Sequence, residues 1–214
     1  MSAYASIVFD MDSTLSGIEG VDWLAACRGP EAAADVSRLT ARAMAGEIAL
    51  DAVYGARLAM IRPTALDLAA LARAYTANVA PGARVALERL RRADVALTIV
   101  SGGIREAIAP CTAMLGFSDR DIHAVPVYLD ADGGYAGFDT SSPLATQHGK
   151  CDVVRALALP RPVMAVGDGA TDAALRPVVD AFAAYTGFVR RAAVVSAADF
   201  EVRSFDELLE IVFQ

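Results

Sequence analysis

The amino-acid sequence predicts an α/β fold: a doubly wound, mostly parallel sheet in a Rossmann-like three-layer sandwich, with a small helical cap inserted after the first strand. Three observations carry this expectation. Short apolar runs recur, each closed by a polar or glycine-rich cluster. Helical periodicity fills the spaces between them, and from residue 16 to residue 80 the alternation stops and only helical spacing is left. With 214 residues and 55% hydrophobic positions, the chain can bury one full core.

The first run is Ser6-Ile7-Val8-Phe9, ended by Asp10. A strand apolar on both faces fits a parallel sheet, whose two sides are covered by helices. The stretch that follows is rich in Ala, Leu, Met and Arg, with helical spacing over Glu31–Ala45, Ala49–Met60 and Thr64–Ala77. Residues 16–80 are therefore expected to form the cap, with residues 1–15 and 81–214 as the α/β catalytic core. A lid at the mouth of a sheet excludes water and supplies specificity residues; the alternative is that these helices only cover one sheet face.

Pro81–Arg92 places Val85, Leu87 and Leu90 among Arg and Glu, and predicts a helix. Val95–Val100 is the second strand, closed by Ser101-Gly102-Gly103, with a helix over Gly103–Leu115. Between Ile122 and Phe138, two short runs flank Asp130-Ala131-Asp132-Gly133-Gly134 and predict a hairpin. That turn imitates the start of a calcium loop, but its twelfth position is Ser141 where a bidentate Glu is needed. Cys151–Leu157 predicts a helix, Val163–Val166 a third strand closed by Gly167-Asp168-Gly169, and Phe205–Phe213 a terminal amphipathic helix.

Composition excludes several functions. The net charge of -7 argues against nucleic acid or an anionic membrane as the partner, since both need a basic face. No run of about 18 uncharged apolar residues predicts a membrane span, and no basic segment followed by an apolar stretch marks a leader, so the expected location is cytoplasmic. Cys27, Cys111 and Cys151 contain no C-x-x-C pair and read as free thiols, while His123 and His148 lack ligand spacing for zinc.

In an open α/β sheet, ligands sit at the carboxyl ends of the strands, so the three polar clusters converge on one crevice. Asp10 and Asp12, two apart at a strand end, suit a carboxylate nucleophile toward phosphorus and a second acid that protonates the leaving alkoxide and later activates water. Read alone, the pair is equally compatible with a strand end that caps a helix. Asp168 and Asp172 add two more carboxylates, and a phosphate among four of them needs a hard cation, for which Mg2+ is suited. Ser101 and the Gly102 amide offer an anion site at an expected helix N-terminus. Lys150 is the only lysine among the 19 basic residues, and a compact ammonium fits where a planar guanidinium does not.

Taken together, these segments resemble the haloacid dehalogenase superfamily, in its phosphatase branch and nearest to the phosphoserine phosphatases. The resemblance spans Asp10–Thr14, Glu19–Asp22, Ala43–Gly46, Arg57, Val100–Gly103, Gly149-Lys150, Gly167–Asp172 and Asp180–Phe182, in order along nearly the whole chain. It implies Asp10 as nucleophile, Asp12 as general acid/base, and phosphate binding by Ser101, Gly102 and Lys150. It also implies magnesium held by Asp10, the Asp12 carbonyl and Asp168, with Asp172 in support. In the cap it implies Glu19 for a substrate ammonium, Arg57 for its carboxylate and Met44 beside them. The chain departs from the family at Leu50, where a Phe is usual, and at Ala45, where a Gly is usual. The implied reaction is hydrolysis of L-phosphoserine, in serine biosynthesis. The alternatives are the same chemistry on phosphohomoserine or a sugar phosphate, and, from another class, a phospho-accepting receiver-like signalling module.

Overall fold

The structure, a computed structural model, describes residues 2–44, 48 and 50–214, with the side chains of Ala41, Ala43, Met44, Leu50 and Asp51 outside the description. Its main sheet has six parallel strands: β1 (Ser6–Phe9), β2 (Ala96–Ile104), β3 (Ile122–Val125), β6 (Val163–Gly167), β7 (Ala181–Tyr185) and β8 (Phe200–Val202). They lie in the order β3-β2-β1-β6-β7-β8. A separate antiparallel hairpin joins β4 (Val127–Leu129) to β5 (Tyr135–Phe138).

Alternate residues of the same strands enter different hydrophobic clusters. Ile7, Phe9, Ile99 and Val166 pack on one side, Val8, Val100, Ala165 and Phe182 on the other. This two-residue alternation with both faces buried makes the three layers the sequence predicts. The flanking helices of the core are α5 (Ala83–Arg92), α6 (Arg105–Met114), α7 (Gly149–Leu157), the short α8 (Ala170–Ala173) and α9 (Ala192–Ser196), and α10 (Phe205–Val212).

Residues 16–80 contribute α1 (Gly20–Cys27), α2 (Pro30–Met44), α3 (Leu50–Ile61) and α4 (Ala65–Ala77). A capping box starts α4: the Thr64 hydroxyl accepts from Asp67 N (3.3 Å) and Asp67 Oδ2 accepts from Thr64 N (2.8 Å), an arrangement that contributes ~1 kcal/mol. α4 packs against α6, and its Leu71 and Tyr75 belong to the same cluster as Ile7 and Phe9. The chain leaves and rejoins the core side by side, with Gly17 N donating to Asn78 O (3.0 Å) and Ala80 N to Leu15 O (2.9 Å). None of the described helices is long and apolar enough to cross a membrane.

Two expectations need correction. Ile122–Val125 is not part of the hairpin: it pairs in parallel with β2, and Pro126, which has no N–H, separates it from β4. Ser101-Gly102-Gly103 does not open a helix; it lies in the last stretch of β2, where the register slips between Val100 and Ile104, and α6 starts only at Arg105.

The chain runs from β1 through β2 to β3 on one side, and from β6 through β7 to β8 on the other. The order therefore reverses between β1 and β6, which opens a crevice at their carboxyl ends. Phe9 pairs with Ile99 and Val166, so Asp10 and Asp168 emerge beside each other there.

Candidate active site

Asp10 continues the line of β1, its N–H donating to Val166 O (3.0 Å). Its Oδ1 accepts from Met11 N (2.8 Å) and faces Lys150 Nζ (2.9 Å). The backbone then turns sharply: Ser13 has φ 50°, in the left-handed region that side-chain-bearing residues seldom adopt. That turn brings Asp12 back toward the same cavity, of about 360 Å³, which Ser101, Gly102 and Lys150 also line.

Asp10, Asp168 and Asp172 are buried and each sets a carboxylate oxygen within 4.8 Å of the others. Lys150 Nζ donates to Asp172 Oδ1 (2.6 Å), Gly169 N to Asp172 Oδ2 (3.0 Å), and Thr14 Oγ1 to Asp168 Oδ1 (3.3 Å). Burial alone would lower the Lys150 ammonium, but Asp10 and Asp172 outweigh it and hold it above its ordinary value. Burial and then Asp10 push Asp172 up, with Lys150 opposing. Three clustered carboxylates of purely oxygen donors fit a hard divalent cation.

Backbone clearance explains the glycines beside these groups. A Cβ at Gly149 would lie 1.6 Å from Pro143 O, so only glycine lets the start of α7 come close enough to place Lys150. A Cβ at Gly167 would lie 2.2 Å from Asp172 Cγ.

Asp12 is turned away from that cluster. Tyr75 Oη donates to its Oδ1 (2.6 Å) and Gly20 N to its Oδ2 (2.8 Å). Burial, then Glu19 and Asp10, push Asp12 up to about 7 against those two hydrogen bonds. Ser101 Oγ accepts from Gly103 N (3.0 Å), which fixes the hydroxyl at the cavity wall.

Across the cavity, Glu19 accepts from Ser13 Oγ (2.8 Å) and pairs with Arg191 (3.3 Å), and Arg191 also contacts Asp168. Glu19 occupies the N-cap position of α1 but makes no side-chain cap bond. Arg57 Nη2 donates to Asp22 Oδ1 (2.6 Å), while its buried Nε has no hydrogen bond among the described residues. The structure thus gathers Asp10, Asp12, Glu19, Arg57, Ser101, Gly102 and Lys150 around one cavity, with Asp168 and Asp172 next to Asp10. The side chains of Met44 and Leu50, and all of Ala45 and Gly46, lie outside the described residues.

Sequence reasoning did not single out Tyr75, Tyr54, Arg191 or the hydroxyl of Thr14. Tyr75 is 63 positions from Asp12, and its only local signal is an aromatic one helical turn after Leu71. Arg191 is 23 positions from Asp168 in a loop without a motif.

A family model described as haloacid dehalogenase-like hydrolase matches residues 7–177. The phosphoserine phosphatases of Mus musculus and Bos taurus are 35% and 34% identical to the chain over 207 residues, covering 95% of it and 91% of each relative. The crystal structure of a phosphoserine phosphohydrolase-like protein from Francisella tularensis superposes with a TM-score of 0.85 at 25% identity, covering 97% of this chain and 99% of that one.

Proposed function

The chain belongs to the haloacid dehalogenase-like hydrolases, and we propose that it hydrolyses L-phosphoserine to L-serine and phosphate through a phosphoryl group carried on Asp10. One observation carries the mechanism: carboxylates only two residues apart have different partners, Asp10 joining the acidic cluster and Lys150, Asp12 held by Tyr75 and Gly20. A nucleophile and a general acid need such a separation of environments.

In the first half-reaction Asp10 attacks phosphorus, the P–O bond to the seryl oxygen breaks, and Asp12 donates its proton to that oxygen. In the second, Asp12 takes a proton from water, whose oxygen attacks the same phosphorus and restores the Asp10 carboxylate. Ser101 Oγ, the Gly102 amide and Lys150 Nζ stabilise the charge on the equatorial phosphoryl oxygens. The metal we assign is Mg2+: Asp10, Asp168 and the Asp12 carbonyl would hold it, with Asp172 in support, and when bound it would neutralise charge on the phosphate.

Residues 16–80 act as the cap that selects substrate, with Glu19 toward the ammonium and Arg57 toward the carboxylate of a zwitterionic ester. Met44 is assigned to the wall beside them. All three cysteines are free, which supports a reducing, cytoplasmic setting.

The test is steady-state phosphate release, with and without magnesium, from phosphoserine, phosphothreonine, phosphohomoserine and histidinol phosphate. Phosphoserine should give the highest kcat/KM, and only with metal. Equal rates across the four esters would remove the substrate assignment while keeping the chemistry. Stable phosphorylation without phosphate release would instead indicate a receiver-like module.

A further inference from the structure

Two buried polar atoms at the cavity wall find no partner among the described residues. Tyr54 Oη and Arg57 Nε make no hydrogen bond among the described residues, and both residues line the cavity with Asp10 and Ser101. They stand three apart on α3, which puts them on one helix face. A buried hydroxyl without a partner costs stability, so its retention needs a reason outside the free protein.

The Tyr54 ring is held in place. Its centroid is 5.3 Å from that of Phe138 in the β4–β5 hairpin, at 58°. Next to it, Gly55 sits inside α3, where glycine is unfavourable for a helix. A Cβ there would lie 3.1 Å from Phe138, so glycine lets that ring press against the helix and fix its neighbour. Burial first and then Asp12 push the phenol up, with Arg57 opposing.

The chemistry of the missing partner follows from its neighbours. Arg57 Nε can only donate, and a hydroxyl beside it is best satisfied by an anionic acceptor. Phosphate is assigned above to Ser101 and Lys150, which line the same cavity, and an ammonium is repelled by Arg57. What remains is a carboxylate.

We propose that Tyr54 determines specificity by donating its hydroxyl to the substrate carboxylate that Arg57 grips. This rests on the phosphoserine reading above. The experiment compares Tyr54→Phe with the wild-type enzyme on phosphoserine and on phosphoethanolamine, which keeps the phosphate and ammonium but lacks the carboxylate, and adds thermal melting of the free proteins.

KM for phosphoserine should rise about tenfold, equivalent to ~1.4 kcal/mol, with kcat within about twofold. KM for phosphoethanolamine should not change, and the variant should melt no lower than wild type, because it loses only an unpaired hydroxyl. An equal change on both esters, a lower melting temperature without a split between them, or no change at all would overturn the assignment. If the wild-type enzyme itself does not prefer phosphoserine to phosphoethanolamine, the substrate reading fails and Tyr54 falls with it. If it does, and only the split is missing, Tyr54 alone falls.

Discussion

Replacing Asp12 with Asn should abolish turnover and yet stabilise the metal-free protein at alkaline pH. Asp12 is raised from an ordinary 3.8 to about 7. At 1.36 kcal/mol per pH unit, keeping that carboxylate ionised in the fold at pH 8 costs up to ~4 kcal/mol. One side of Asp12 faces the open cavity, where water recovers part of this, so we take ~2 kcal/mol as the gain.

The sign follows from proton binding. A carboxyl raised in the fold binds more protons folded than unfolded between about pH 4 and 7, so stability falls as pH rises through that window. The gain from Asp12→Asn is therefore complete above about pH 7, shrinks to under half near pH 5 and is gone below about pH 4. Asn retains an acceptor for Gly20 N and presents an amide to the Tyr75 hydroxyl, so neither group is stranded. For a chain of this length, ~2 kcal/mol corresponds to a Tm rise of about 4–8 °C. The assay is thermal denaturation in chelator at pH 8 and pH 5. A lower Tm for the variant at pH 8, or an equal shift at both pH values, would refute the electrostatic account of Asp12.

Tyr75→Phe keeps a ring in the same buried space but removes the donor 2.6 Å from Asp12; kcat for phosphoserine should drop about tenfold with KM little changed, and an unaltered kcat would exclude a positioning role. Arg57→Ala should raise KM for phosphoserine roughly 10–100-fold, the cost of ~1.5–3 kcal/mol for a charged hydrogen bond, while sparing an aryl phosphate; equal losses on both would contradict its assignment to the carboxylate. Gly149→Ala drives a Cβ into Pro143 O, so urea unfolding should show a loss of ~1–3 kcal/mol or more along with loss of activity; a variant of wild-type stability would show that α7 can shift without harm.

Much of this fold could be read from particular residues. Ser6–Phe9, Ala96–Val100 and Val163–Val166 are strands because their apolar residues are contiguous and end in polar turns, and the sheet buries them on both faces. Ala181–Tyr185 does not read as a strand, because its three alanines carry no strand preference; it becomes β7 through burial between β6 and β8. Ile122–Val125 reads as part of a hairpin because an apolar run beside a turn does not reveal which strand it will pair with.

The same division holds in the active site. Asp10, Asp12, Ser101, Lys150, Asp168 and Asp172 sit at strand ends or in glycine-rich turns, where local sequence reports position. Tyr75, Tyr54 and Arg191 act through contacts across tens of residues, on helices or loops whose local pattern says only that they are amphipathic or exposed. Those contacts exist only once the chain is folded.

The most direct test of the account is the location of the phosphoryl group during turnover. Wild-type enzyme mixed with phosphoserine and magnesium, quenched in acid and digested, should carry phosphate on Asp10 as an acid-stable, hydroxylamine-labile acyl phosphate identified by mass spectrometry of its peptide. Asp10→Asn should carry none and release no phosphate. Phosphate found on Ser101, or full turnover by Asp10→Asn, would contradict the assignment of Asp10 as the nucleophile.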